Sequence, residues 1–212
     1  MISMMRIERI PSKPDRSGAY TVRFVGGTVL RLYRQTIEDF YLSDGKELTQ
    51  EEYNQLCVAA GEMSAKMRAV RIVAATNVSK GDLQQRLIHK GESEADAANA
   101  VSWMEEMALL DDAETARQVV SQCIRKGYGK ARAKQVLYEK RIPKDYWDDV
   151  LADYPDQSDF ILVFLQKRLP ADADEKQVSR TVDALLRRGH SYGTIKKVLN
   201  GYLENVQAFL ED

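Results

Sequence analysis

The sequence predicts a mainly α-helical chain made of tandem three-helix, helix-turn-helix-like repeats in an elongated array, preceded by a small β-rich extension. Three observations carry this reading. After position 49 the apolar residues recur at spacings of three and four, as one buried helix face requires. The pattern also repeats along the chain. A shift of 62 residues lays Ala116, Val120, Cys123, Ile124 and Gly127 on Val178, Val182, Leu185, Leu186 and Gly189, and then Ala133, Val136 and Leu137 on Ile195, Val198 and Leu199. A shift of 50 the other way brings Val70, Val73, Ala74, Leu83 and Leu87 into the same slots. The first 50 residues lack this period and are instead rich in β-branched and aromatic residues.

Within that extension, Ala19 to Val25 (AYTVRFV) and Thr28 to Tyr33 (TVLRLY) read as strands. Gly26-Gly27 between them supplies the positive φ angles of a two-residue hairpin turn. Arg6 to Ile10 adds a third strand, and Asp15 to Gly18 makes the turn before the hairpin. So few strands are marginal alone, so the sheet is expected to pack on the helix that follows.

Thr49 and Glu52 have capping-box spacing at the start of that helix. The five prolines, at 11, 14, 143, 155 and 170, all fall where elements begin or end, leaving room for long helices between them. Each copy of the repeat reads as helix, short turn, helix, with a small N-cap residue at a shared place: Ser79, Gly129 and Ser191. A third helix follows, near Glu94 to Leu110 in the first copy, opened by Pro143 in the second, and from Leu203 to Leu210 in the third. Asp156 to Leu169 and Asp174 to Arg188 supply the opening helices of the last copy, with Asp174 a cap. The expected division is 1–50 for the extension and 51–111, 112–155 and 156–212 for the repeats. Units of ~45–60 residues bury little alone, and an array of them suits lying along a large ligand.

A chain of 212 residues with 44% hydrophobic and 30% charged residues has enough apolar side chains for a core and enough charge for a solvated surface. Its net charge of −1 favours no partner in bulk, but a local basic stripe can still attract phosphates. Cys57 and Cys123 form neither a metal pattern nor a disulfide framework, so both are expected to behave as small apolar residues in a reducing compartment. The N-terminus lacks the apolar stretch of about 7–15 residues that a signal peptide needs. Phe160 to Leu165 (FILVFL) is far shorter than the ~20 residues of a membrane span. A cytoplasmic location and no membrane partner are expected.

Enzyme chemistry finds little support. No Gly-x-x-x-x-Gly-Lys-[Ser/Thr] phosphate loop is present, and Gly127-x-Gly129 lacks the preceding strand of a nucleotide-binding turn, reading instead as a helix break and cap. His89 and His190 lack zinc-ligand spacing. The adjacent pairs Asp111-Asp112 and Asp148-Asp149 cannot face each other on a helix, and Asp111 or Asp112 reads as a cap for the next one. No catalytic residue, metal or cofactor is predicted. Trp103 and Trp147 read as packing residues of the third helices.

The basic segments carry the functional signal. Arg125, Lys126, Lys130, Arg132, Lys134, Lys140 and Arg141 face one acid, Glu139, with Tyr128 and Tyr138 interleaved. Arg187, Arg188, Lys196 and Lys197 face none, with His190 and Tyr192 among them. Both clusters surround the same turn of the repeat and the helix after it. That coincidence favours a binding face over merely solvated helix surfaces, because cations bind phosphate oxygens and tyrosine stacks on unpaired bases. His190, beside two arginines, is a further candidate for phosphate contact. In the first repeat Arg86, His89 and Lys90 are offset by Asp82, Glu92, Glu94 and Asp96, which points to protein rather than DNA.

Several motifs resemble those of the RecX family. Leu110-Asp111-Asp112 with Ala116 and Val120 looks like the "LDD…A…V" junction between its first two repeats. Gly127-Tyr128-Gly129, Leu137 and Lys140-Arg141-Ile142 resemble "G-x-G…L…KGI", and Leu186 to Gly189 with Tyr192, Ile195, Val198 and Leu199 resemble "L-x-RRGF-x-Y-x-x-I-x-x-VL". The strands, with Asp44-Gly45-Lys46-Glu47-Leu48 after them, resemble the β extension of some members. Arg141 departs from the glycine of "KGI", His190 from the phenylalanine after "RRG", and Ala133 from a larger aliphatic residue. The resemblance implies a monomeric, non-enzymatic regulator that binds the RecA nucleoprotein filament. It implies inhibition of RecA ATPase and strand exchange, promotion of filament disassembly, and weak, sequence-indifferent contact with single-stranded DNA. The RecA- or DNA-binding residues are then Arg125, Lys126, Lys130, Arg132, Lys134, Lys140, Arg141, Arg187, Arg188, Tyr192, Lys196 and Lys197. The competing expectation from helix-turn-helix geometry is a stand-alone DNA-binding protein of the transcriptional-regulator kind.

Overall fold

The computed structural model describes residues 4–170 and 172–211, with side chains up to Glu204. The chain forms two compact units, Met1–Leu110 and Asp111–Asp212.

The first unit opens with strands β1 (Met5–Arg9), β2 (Ala19–Phe24) and β3 (Val29–Tyr33), a short helix α1 (Arg34–Asp39) and strand β4 (Glu47–Leu48). They make an antiparallel sheet of order β3-β2-β1-β4. In the β2–β3 hairpin Arg23 lies opposite Val29, and the Phe24 N–H donates to the Thr28 carbonyl. The connection is therefore residues 25–27, one longer than the two-residue turn the sequence suggested. Gly26 and Gly27 still supply the left-handed backbone, at φ 95° and 87°. Asp15 makes the expected turn, its carboxylate accepting from the Ser17 and Ala19 N–H groups. The sequence signalled neither α1 nor β4. The first is six residues without a side-chain cap, and the second is two residues long.

Helix α2 (Gln50–Ala75) starts at the predicted capping box: the Glu52 N–H donates to Thr49 Oγ1 and the Thr49 N–H to the Glu52 carboxylate. Leu56 and Ala60 of its first half close the sheet core of Ile7, Val22, Phe24 and Leu32. Its second half packs with α3 (Lys80–His89) and α4 (Glu94–Glu106) around Leu83, Leu87, Ala97, Ala100 and Met104. Full burial of leucines such as Leu83 and Leu87 contributes roughly 1.5–3 kcal/mol each.

One register differs from the sequence frame. Ala65 and Ala69 are the buried line of α2, Val70 and Val73 are half-buried, and Ala74 is exposed. The face is rotated by one residue, about 100°, from the frame that aligns the second helices. Helix joints explain this: α2 leaves through Thr76 in extended backbone, whereas the matching helix of the next copy leaves through left-handed Gly127.

The second unit contains α5 (Asp112–Arg125), α6 (Lys130–Glu139), a 3-10 turn (Lys144–Tyr146) and α7 (Trp147–Leu151), around Ala116, Val120, Cys123, Ala133, Leu137 and Leu151. Then come α8 (Ser158–Arg168), α9 (Glu175–Arg187) and α10 (Tyr192–Glu211), around Ile161, Leu165, Leu185, Ile195 and Leu199. Asp111 caps α5, and Asp174 makes a capping box with Gln177. Ser79 and Ser191 cap α3 and α10 through their hydroxyls, whereas Gly129 opens α6 with no side chain to offer.

The separate helix expected over 203–210 is instead the end of α10. Gly201 costs an interior helix about 1 kcal/mol, too little to break it here, and the Tyr202 hydroxyl anchors the helix beyond the glycine by donating to the Leu169 carbonyl at 2.7 Å. Trp147 donates its indole N–H to the Ile142 carbonyl, and Trp103 packs on the α2–α4 core. Arg141 sits at φ 54°, just past the end of α6, in the left-handed role that Gly91, Gly127 and Gly189 fill after α3, α5 and α9. Its departure from glycine therefore leaves a side chain in backbone that favours glycine. Cys123 is buried, as expected, while Cys57 is only half-buried. Among the described residues no helix is long and apolar enough to cross a membrane.

Candidate nucleic-acid interface

The two basic segments meet through their turns. Gly189, at φ 85°, lies against the first turn of α6, so that a Cβ there would stand 2.2 Å from the Arg132 nitrogen. A Cβ on Gly129 would stand 2.0 Å from the Gly189 carbonyl oxygen, and one on Gly127 the same distance from the Phe160 ring. The Gly129 N–H donates to the Arg188 carbonyl at 2.9 Å. Thus Gly127-x-Gly129 is more than the helix break and cap read from sequence. It permits one helix-turn-helix turn to rest on the next.

Arg188 holds this joint. One guanidinium nitrogen donates to the Lys126 carbonyl at 2.8 Å, and the group lies over Tyr128, Phe160 and Phe164 at 5.2, 5.1 and 5.6 Å from their ring centres. Its buried Nε has no acceptor among the described residues. Three electron-rich faces stabilise a cation in such a position. Tyr154 closes the other side, its hydroxyl donating to the Tyr128 carbonyl at 2.6 Å. Burial pushes the Tyr154 pKa up to about 12.

His190 corrects the sequence reading. It is 7% exposed and faces no solvent phosphate. Its Nε2 lies 3.1 Å from the Gly127 carbonyl, which can only accept, so the ring is the tautomer with Nε2–H donating. Burial moves its pKa down, the Gly127 hydrogen bond opposes that, and the Arg188 charge adds to the lowering. A depressed histidine pKa means that the unfolded chain binds the proton more readily. This stability is complete above the unfolded value of about 6.5 and is lost as pH falls below it. Denaturant unfolding at pH 7.5 and 5.5 is expected to show lower stability at the acid pH, with a smaller difference in His190→Gln. An equal difference in the variant would assign the effect to other groups.

The remaining predicted residues lie around the joint. Lys130 and Lys134 are exposed one turn apart on α6, while Arg132 is tied to Glu139 at 2.9 Å. Tyr192, 61% exposed, lies one turn from exposed Lys196 on α10, with Lys197 beside it. Gly129, Lys130, Gly189, Ser191 and Thr194 line one concavity of about 420 Å³, so α6 and α10 both begin at its edge. Exposed Lys126 and Arg187 flank the turns, and Arg125 bonds Ser121. Lys140 and Arg141 follow the other end of α6, about 15 Å along its axis. Tyr128, named as a stacking candidate, is half-buried beneath Arg188, whereas Tyr138 is 69% exposed. Phe160, Phe164 and Tyr154 escaped sequence reasoning because their partners, Arg188 for the two phenylalanines and the Tyr128 carbonyl for the tyrosine, lie on other elements, and apolar spacing along one helix carries no trace of that.

Comparisons agree with this architecture. Residues 111–151 match the family model described as RecX, second three-helix domain. A regulatory protein RecX from Vibrio parahaemolyticus is 28% identical over 66% of this chain and 93% of its own length. Another, from Caldanaerobacter subterraneus, is 25% identical over 92% of this chain and 99% of its own. Two solved structures share the fold. One, a regulatory protein RecX, has a TM-score of 0.62 at 18% identity and spans 92% of this chain and 99% of its own. The other, RecX from Lactobacillus salivarius, has a TM-score of 0.57 at 18% identity and spans 68% and 97%. A matching three-helix domain, relatives along most of its length and a shared fold make the chain similar to proteins of the RecX family.

Proposed function

We propose that this chain is a regulator that binds the RecA–single-stranded-DNA filament, inhibits its ATPase and strand exchange, and promotes filament disassembly. The observation that carries the reading is the shared concavity at which α6 and α10 begin, because it brings the starts of two basic, tyrosine-bearing helices to one place. Lys130, Lys134, Tyr192, Lys196 and Lys197 are the outward contacts, with Arg125, Lys126, Arg132, Lys140, Arg141 and Arg187 around them. Arg188 is assigned to the joint. Phosphate contacts of this kind are salt-sensitive and indifferent to sequence, which suits a filament built on any DNA. The chain acts as a cytoplasmic monomer without cofactor or catalytic chemistry. Its working parts are the β extension (1–50) and three helical repeats (51–111, 112–155 and 156–212).

The test is the single-stranded-DNA-dependent ATPase of the cognate RecA, titrated with this protein below one copy per RecA. A steep loss of turnover is expected, and Lys130→Glu combined with Lys134→Glu is expected to weaken it. No loss of turnover, with filament length also unchanged, would sink the reading. Tight binding to one duplex sequence would then favour a stand-alone regulator.

A further inference from the structure

A second concentration of positive charge lies in the first unit, where the local sequence is balanced. Arg16 from the β1–β2 loop, Arg68 and Arg71 from α2, and Arg86 and Lys90 at the end of α3 line one concavity of about 540 Å³. No acid lines it. The nearby carboxylates stand behind the arginines and orient them. Glu92, only 8% exposed, accepts from Arg68 Nε at 2.6 Å, and Asp82 accepts from both Nε and Nη2 of Arg86. Among the described residues the other guanidinium N–H groups of both arginines have no hydrogen-bond partner. Arg71 ties the loop to the helix, donating to the Ser17 carbonyl at 3.0 Å and facing the Tyr33 hydroxyl at 3.4 Å. Arg16 and Lys90 are exposed and, among the described residues, carry no ion pair or side-chain hydrogen bond.

Helix-end electrostatics does not account for this cluster. A cation near the end of α3 is favourable to that helix, which covers Arg86 and Lys90, but the last turn of α2 holds no basic residue and Arg16 is on no helix. Five cations from three separate segments, two of them held on one edge by carboxylates, make a preorganised receptor for phosphate oxygens. Its size is that of a ligand pocket. Being concave, it admits the backbone of one flexible strand, whereas a duplex is too stiff and wide to enter.

We propose that this concavity binds the phosphates of single-stranded nucleic acid, a contact separate from the basic helices of the second unit. The choice of strand over other phosphate carriers rests on the proposed function. The phosphate chemistry rests on the pocket alone.

The experiment is anisotropy of a fluorescently labelled oligothymidylate with the full chain, without RecA, across 50–200 mM salt. Arg16→Gln combined with Lys90→Gln is the test variant, since both side chains are exposed and unpartnered. Lys130→Gln combined with Lys134→Gln is the comparison. The test variant is expected to bind roughly tenfold more weakly near 0.1 M salt, with a salt slope shallower by about 1.4, or about 0.7 per lost single-strand contact. Arg71→Gln is expected to add to the loss. Unchanged affinity and slope in the test variant overturn the proposal, as does absence of binding by the unaltered protein. A variant that binds the oligonucleotide normally but RecA weakly overturns it in favour of a protein contact. With no RecA in the assay, failure of the ATPase test and failure of this one are distinguishable.

Discussion

Gly189→Ala is expected to destabilise the second unit by about 3–4 kcal/mol. Two terms add. At φ 85° an alanine occupies left-handed backbone, which costs roughly 1–2 kcal/mol. Its Cβ would also stand 2.2 Å from the Arg132 nitrogen and 2.6 Å from the Arg132 Cβ, so the joint must open, at a further cost of about 1–3 kcal/mol. For a unit of this size the melting point should fall by about 15 °C. Gly91→Ala is the matched control: it also follows a helix in left-handed backbone, at φ 92°, but nothing lies within 4 Å of the added Cβ. It should cost only the backbone term. Equal losses in denaturant unfolding of the two variants would mean that the close approach of the two turns has no energetic weight.

Arg188→Ala should cost at least about 3 kcal/mol. It removes a charge-assisted hydrogen bond to the Lys126 carbonyl, worth about 1.5–3 kcal/mol. It also leaves three ring faces without their cation, each contact being worth about 0.5–1 kcal/mol or more when desolvated. Arg188→Lys should recover less than half of the loss, because an ammonium cannot lie flat on several rings while reaching a carbonyl. The second readout is the salt slope of oligonucleotide binding, measured where the variant is still folded. It should stay as in the unaltered protein, whereas Lys130→Gln with Lys134→Gln should lower the slope and spare stability. A shallower slope with normal stability in Arg188→Ala would return that residue to the binding surface.

Arg188 and His190 show where reading by residue type ends. Both stand in a run of basic residues that looks solvated, since nothing within the run pairs with them. Their partners, the Lys126 and Gly127 carbonyls and the rings of Phe160 and Phe164, lie on other elements. The positively charged concavity of the first unit was hidden in the same way. Arg16 is far along the chain from Arg68 and Lys90, and the acids that balance the local sequence turn out to sit behind the arginines.

What the sequence determined alone is what neighbouring residues decide. Helical periodicity, the capping boxes at Thr49 and Asp174, the caps at Ser79 and Ser191, and the hairpin glycines all act within a few residues of themselves, so their signal is local and legible. The frame of the second helices was legible too, because Leu83, Ala133 and Ile195, and likewise Leu87, Leu137 and Leu199, are buried at matching positions. Only the tertiary structure decided the rotation of α2, the continuity of α10 past Gly201, the resting of one turn on another through Gly129 and Gly189, and which cations face inward. Those outcomes depend on the fit between surfaces distant in sequence, where a displacement of one residue or one methyl group changes the answer and composition does not record it.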